Sequence, residues 1–594
     1  MTQNTNSIIW LVSQSIVAVA ITSVLFLTVS CYPRNGSHEL HVLATGDVHG
    51  AWFDTPYISG ESARPSLMSL KPVLDSIRRV YGPANVLLVD AGDCLQGDNA
   101  AYYYNYVETS RPHLFPRLMS YLGYDAVVVG NHDIETGHEV YDRVTGQLAS
   151  SHIPFLAGNA ISDSNGTPYW PEFRLVRRSG MRVLILGYTN PNISSWLKQS
   201  LWEGMHFESL LPLVQERVDV LRKKYRPDVV VAAVHSGAGP GDGTVLESQG
   251  MDLFKSLKGV DVLICGHDHR PRVESAPHMV LVNAGSKAGK LAHAVVKAEV
   301  RRGKICSKSF DASLVDNDPS RADATMKEAF AEDFEAVRAF TVKEIGYSEC
   351  ALSASEAFGG RCAMTDLVHT VQLKTTGAQV SFAAPLSQRT MVPAGKLTVN
   401  DLFAIYPFEN TLYSLEMTGA QIRSYLEYSY SKWVCNPFNE GHALQIRSRG
   451  GKTDGSLRWS FVNPAYNFDS AAGIIYTVDL SKEAGERVCI TGMAGGLPFD
   501  EEATYSVAMN SYRASGAGDM LGKGAGINTD ELQITGRYPE IRELISRYIT
   551  DCGTLTPQNI SDPELLGNWS FIPEKQVRPF IERDLALLFA PKAF

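Results

Sequence analysis

Cysteine pairs, basic charge and internal repetition are all scarce in this chain, and each scarcity sets something aside. Nine cysteines in 594 residues include no Cys-x-x-Cys pair, which argues against a cysteine zinc ribbon. Lys and Arg total 54 against 64 Asp and Glu, a formal charge of −10. A nucleic-acid polymer binder normally carries a basic face, so that class recedes. Single nucleotides remain admissible, because a metal site supplies its own positive charge. No internal repeat is visible. Charge is missing altogether from 8 to 30, and no Lys or Arg precedes that run.

What is present is ordinary for a globular protein, with 44% hydrophobic and 20% charged residues. The length allows two large domains and smaller additions. The uncharged run ends Leu27-Thr28-Val29-Ser30-Cys31. It has the form of a signal segment, 1–31, whose small residues before Cys31 are similar to a lipoprotein cleavage box. Cys31 would then carry the lipid. Thr28 stands where such boxes usually have Leu. An uncleaved anchor is the alternative, since twenty-three apolar-rich residues can span a bilayer. Both readings place the folded part outside the cytoplasm, attached to a membrane. The eight remaining cysteines could then form disulfides, whose pairing the sequence does not give.

Five short blocks each place a metal-binding side chain straight after a strand-like run. They are Asp47-Val48-His49, Gly92-Asp93, Gly130-Asn131-His132-Asp133, His235-Ser236-Gly237 and Gly266-His267-Asp268-His269. The preceding runs, such as Val86–Val89 and Val229–Val234, are continuously apolar, as in strands buried on both faces. The carboxyl ends of parallel strands open into one crevice, so distant residues can converge there. One Gly-Asp alone is usually a turn. Five blocks of Asp, Asn and His in order point instead to a two-metal hydrolase.

From 38 to 312 strand and helix patterns alternate, which argues a layered α/β domain. Between 318 and 344 Met326, Phe330, Phe334, Val337 and Phe340 form one apolar stripe, a connecting helix assigned to 313–345. A second domain is expected over 346–545, and a C-terminal extension over 546–594. Two segments stand out in that domain: Tyr406-Pro407-Phe408-Glu409-Asn410-Thr411-Leu412 and the Gly-rich stretch from Asn510 to Asp519.

With these motifs the chain resembles the 5′-nucleotidase and 2′,3′-cyclic-nucleotide phosphodiesterase family of calcineurin-like metallophosphoesterases, over most of 40–540. The resemblance implies an α/β fold: a four-layer αββα sandwich followed by a second α/β nucleotide-binding domain. It implies two divalent metals, Zn or Mn before Fe, Co or Mg, which activate water to attack phosphorus. Asp47, His49 and His269 would hold one metal, Asp93 would bridge, and Asn131, His235 and His267 would complete the second. His132 would stabilise charge or protonate the leaving oxygen, oriented by Glu135 where the family has Asp. Phe408 and Tyr512 would stack the base, with Asn410 and Asp519 as polar contacts.

One departure bears on substrate. The family's arginine-bearing Asn-Gly-Gly-x-Arg stretch is replaced by Ser381-Phe382-Ala383-Ala384-Pro385, ending at Arg389. This version is similar to the branch acting on 2′,3′-cyclic nucleotides and 3′-nucleotides. Arg389 or Arg513 would then serve as a replacement phosphate clamp. The alternatives are a 5′-nucleotidase or UDP-sugar-type hydrolase, a thiohydrolase on the same scaffold, and a surface-binding lipoprotein without catalysis. The expected partners are a small nucleotide and the membrane, with no nucleic-acid polymer and no obligate protein partner.

Overall fold

A computed structural model describes residues 35–58, 63–435, 441–451, 457–529 and 532–589. The signal segment and Cys31 lie outside the described residues. Among the described residues no helix is long and apolar enough to cross a membrane. The chain divides into two compact units, the first running to Phe334 and the second beginning at Glu335, with Ser195–Leu197 grouped with the second.

The first unit is built on two six-stranded sheets. In one, Gly36–Thr45, Val86–Asp90, Ala126–Val128 and Phe155–Leu156 run parallel, and the hairpin of Lys290–Arg301 and Lys304–Asp316 closes the other edge. In the second, Met181–Tyr188, Val229–Val234, Val262–Cys265 and Met279–Asn283 are parallel, flanked by antiparallel Phe173–Arg178 and Arg272–Ala276. Alternate residues of both sheets meet in one core: Val42, Ala44, Leu87 and Val89 join Val229, Val231, Val262 and Ile264. The intervening residues of the second sheet, Val230, Ala232 and Leu263, face the helices Leu210–Tyr225 and Gly250–Ser256. Across the first sheet, Leu67–Tyr81 packs on Val86–Asp90. The order is helix, sheet, sheet, helix. Continuous apolar runs are what strands covered on both faces require.

The connection differs from one helix over 313–345. Residues 304–316 are strand, and two helices follow, Ala324–Ala329 and Ala331–Thr341. The break falls at Phe330, whose φ of −119° is not helical and whose ring packs edge-on against Tyr121. Asp333, buried, accepts two bonds from Arg117 at 2.7 and 3.0 Å.

The second unit centres on a five-stranded sheet in the order Ser470–Ala472, Val380–Ala383, Thr504–Asn510, Thr411–Thr418, Ile534–Glu540. The segment expected as a C-terminal extension is part of this unit's body. Gly567–Ile572 pairs parallel with Ile474–Asp479, and Trp569, Phe571, Val577, Ile581 and Leu588 join its main apolar core. The helix Ile541–Cys552 crosses the expected boundary at 545. All eight described cysteines are free thiols, with Cys94 and Cys265 buried.

Candidate metal centre and nucleotide site

Each metal-binding block of the first unit follows a parallel strand, so all five emerge at the carboxyl ends of the two sheets. The loops then lock together through their backbones: Asp47 N–H donates to Gly92 O at 2.8 Å, and His49 N–H to Asp93 O at 2.9 Å. Glycine is required where they touch. A Cβ at Gly130 would fall 2.1 Å from Asp93 Oδ1, and one at Gly92 would fall 2.9 Å from His235 Nδ1. Five donor residues sit at positive φ: Asp47 (50°), His49 (48°), Asp93 (59°), His267 (74°) and His269 (56°). Non-glycine residues rarely adopt this conformation, and it clusters where surrounding structure holds a functional geometry.

The donors form two groups, Asp47, His49 and His269, and Asp93, His235 and His267. In the first, His49 Nε2 lies 2.9 Å from His269 Nε2, which is 3.6 Å from Asp47 Oδ1. In the second, His235 Nε2 lies 3.0 Å from Asp93 Oδ2. Asn131 Oδ1 joins the second group, 3.1 Å from His235 Nε2 and 3.0 Å from His267 Nδ1. His235 Nδ1 donates to Ala91 O at 2.8 Å, which aims Nε2 at the donors.

The electrostatics fit cations. Asp47, Asp90, Asp93 and Asp133 are all buried, and their hydrogen-bond partners are backbone amides, Thr45, Cys94 and imidazole. Burial pushes Asp47 well above the usual carboxylate range, and burial with the Asp93 charge pushes Asp133 up to about 7. Burial holds His49 down at about 3 and His269 at about 4, so both rings are neutral, the form able to ligate a metal. Burial also opposes charge on His235, yet Asp93 and Asp47 outweigh it and raise the ring to about 9. A proton there partly compensates buried carboxylates, the role a divalent cation fills more completely. The mixed N/O donor set and these charges therefore fit two divalent metals.

Around the donors stand residues that sequence reasoning gave little or no part. Asp133 accepts from the amides of Asp93, Cys94, Leu95 and Gly130 at 2.8–2.9 Å, pinning two loops to one carboxylate. Asp268 accepts from Ala238 N–H and Asn283 Nδ2, both at 2.9 Å. Its place between two histidines was the available signal. His132 Nδ1 lies 2.5 Å from Glu135 Oε2, so the longer carboxylate reaches the ring one turn away. His132 N–H donates to Asp93 Oδ1 at 2.8 Å.

In the second unit the two singled-out segments meet at one end of the sheet. Leu412 pairs with Asn510, and Thr411 N–H donates to Ser511 Oγ at 3.2 Å. The hydroxyl of buried Tyr406 accepts from Asn410 Nδ2 at 3.3 Å and Asn510 Nδ2 at 3.4 Å. Phe408 and Tyr512 thus flank the same sheet end, each half-buried. Asp519 is exposed and paired with Lys523 at 2.8 Å.

The two arginines expected as clamps are turned elsewhere. Arg389 donates to Leu588 O and lies over the Phe589 ring. Arg513 is 3% exposed and ion-paired with Asp469 at 2.7 Å. A buried carboxylate claims the Arg513 guanidinium, whereas Arg389 is exposed and held by one carbonyl and a ring.

Residues 40–271 match the family model for calcineurin-like phosphoesterases, and residues 341–522 match that for the 5′-nucleotidase C-terminal domain. The chain belongs to the calcineurin-like phosphoesterases that carry a 5′-nucleotidase C-terminal domain. It is a hydrolase of that family. It is 25% identical to the trifunctional nucleotide phosphoesterase of Bacillus subtilis, over 93% of this chain but only 40% of that protein. It is 24% identical to the 2′,3′-cyclic-nucleotide 2′-phosphodiesterase/3′-nucleotidase of Yersinia enterocolitica, over 91% of this chain and 89% of that one. In fold it is similar to the 5′-nucleotidase precursor of Thermus thermophilus, with a TM-score of 0.59, 21% identity, and 90% and 100% of the two chains covered.

Proposed function

We propose that this phosphoesterase hydrolyses 2′,3′-cyclic nucleotides and 3′-nucleotides outside the cytoplasm. The observation that carries the reading is the combination of two complete donor groups with an Ala383-Ala384-Pro385 stretch whose following Arg389 is turned to Leu588 O and the Phe589 ring. An arginine clamp fixes a phosphate by two parallel bonds. Without Arg389 or Arg513 in that role, the phosphate is held chiefly by the metal centre. The relatives named as cyclic-nucleotide phosphodiesterases support the same branch, and the uncharged segment ending at Cys31 supports export and lipid anchoring.

Asp47, His49 and His269 would hold one divalent metal and Asn131, His235 and His267 the other, with Asp93 between them; Zn or Mn suits the set best. Such a pair, when bound, clamps the phosphoryl oxygens and supplies a water of lowered pKa. His132 would place a ring N–H on the phosphoryl group or the leaving oxygen. Glu135, accepting from Nδ1, would favour the doubly protonated ring, whose Nε2–H is then the donor toward the substrate. Phe408 and Tyr512 would take the base between them, with Asn410 and Asp519 as polar partners.

The 5′-nucleotidase reading is favoured by the C-terminal family match. Phosphate release from 3′-AMP, 5′-AMP and, with a coupled monoesterase, 2′,3′-cyclic AMP separates the two. A kcat/KM at least roughly tenfold higher for the cyclic and 3′ substrates is expected. A preference for 5′-AMP would overturn the proposed branch.

A further inference from the structure

We propose that two buried arginines, Arg513 and Arg542, are positioning residues that set the spacing of the loops bearing Phe408 and Tyr512. The inference rests on the reading that those two rings hold the base.

Arginine is rarely buried, yet Arg513 is 3% and Arg542 2% exposed. Every N–H of Arg513 has an acceptor. Nε donates to Asp469 Oδ2 at 2.7 Å and Nη2 to Asp469 Oδ1 at 3.3 Å. Nη1 donates to Asn467 Oδ1 and Ala517 O, both at 3.1 Å. The remaining Nη2 hydrogen goes to Tyr466 O. A guanidinium has five donors in a fixed planar fork, so five acceptors leave it one orientation. Asp469, 1% exposed, also accepts from the Tyr425 hydroxyl.

The Gly-rich loop is shaped around this group. Gly516, Gly518 and Asp519 have φ of 90°, 77° and 60°. A Cβ at Gly518 would fall 2.5 Å from Asn467 Oδ1 and 2.9 Å from Arg513 Nη1. Glycine there lets the backbone close over the guanidinium, and Ala517 O supplies one of its acceptors. The side chain of Asn510 caps the short helix that carries Tyr512, accepting from Arg513 N–H at 2.8 Å.

Arg542 treats the other loop in the same way. Nε donates to Tyr406 O and Nη2 to Pro407 O, both at 2.9 Å. These carbonyls immediately precede Phe408. Glu409, immediately after it, is 3.8 Å from Nη1, and the guanidinium lies 4.1 Å from the Phe403 ring centroid. The tether comes from Ile541–Cys552, a helix remote in sequence. Lysine, with one charged nitrogen, cannot bridge two carbonyls from a planar fork.

The test uses the full chain with Arg513→Lys, Arg542→Lys and Gly518→Ala, beside Tyr512→Ala. KM and kcat are measured for 3′-AMP and for an aryl phosphate, with adenosine as a competing ligand and thermal unfolding as the folding control. Each positioning variant should lower the ratio of kcat/KM for 3′-AMP over the aryl phosphate by about tenfold, and adenosine affinity should fall in parallel. Equal loss on both substrates, or no loss of adenosine affinity in a folded variant, overturns the inference. Should the arginine variants fail to fold, Gly518→Ala, which keeps every charge, decides for the Arg513 loop, and Phe403→Leu, which removes the ring beside Arg542, decides for the other by the same readouts. If Tyr512→Ala weakens adenosine while Gly518→Ala does not, this inference fails and the base-binding reading stands. If Tyr512→Ala leaves adenosine binding unchanged, the base-binding reading itself fails.

Discussion

Asp93 is the residue on which most of the metal centre turns: its carboxylate faces His235, its Oδ1 takes the His132 amide, and its own amide is held by Asp133. Asp93→Asn keeps the shape and removes the charge. Turnover should fall roughly a thousandfold or more while the fold survives, measured as phosphate release beside circular dichroism. A variant near wild-type activity would remove Asp93 from the centre. His132→Ala should cost about 10²–10⁴ in kcat, the usual span for a lost acid–base or charge-stabilising group. Glu135→Gln should cost less, because the amide still reaches the ring but the charge is gone.

At the scale of the element, the loops at the strand ends matter more than the strands. The strand Ala126–Val128 ends two residues before Gly130, where the missing Cβ makes room for Asp93 Oδ1. Gly130→Ala should therefore reduce bound metal, read by metal analysis of the purified protein, with little change in helical content. Buried histidines away from the metal centre give a pH dependence. Burial holds His113 and His369 down at about 3, against about 6.5 when unfolded. Between those values the unfolded chain binds the proton and the folded one does not. Stability contributed by each ring is complete above about 6.5 and falls with pH at about 1.4 kcal/mol per unit. His369→Gln should flatten the urea-denaturation midpoint measured between pH 6.5 and 4.5, and an unchanged slope would remove His369 from this role.

Across the whole molecule, the last thirty described residues are structural. Trp569, Phe571, Val577, Ile581 and Leu588 are buried in the second unit's core. Burying such side chains stabilises by about 1.5–3 kcal/mol each, so five contribute roughly 8–15 kcal/mol, comparable with the whole stability of a domain. Ending the chain at Asp562 should therefore unfold the second unit, visible as loss of its thermal transition, while metal analysis still finds the first unit loaded.

The sequence by itself determined the chemistry. Each metal donor lies within a few residues of an apolar strand, and a parallel sheet brings strand ends together whatever the loops between them do, so Asp47 through His269 could be read as one centre. The pair proposed to hold the base, Phe408 and Tyr512, came from the family resemblance, and pairing of Leu412 with Asn510 sets their two segments at one sheet end. Only the tertiary structure decided what the arginines do. Whether a guanidinium reaches a ligand or a buried carboxylate depends on partners such as Asp469 and Leu588, far off in the chain and selected by packing. The same holds for the C-terminal segment, whose Gly567–Ile572 strand finds Ile474–Asp479 by a pairing that local pattern does not encode, and for the break at Phe330, which falls inside a continuous apolar stripe at a ring packed against Tyr121.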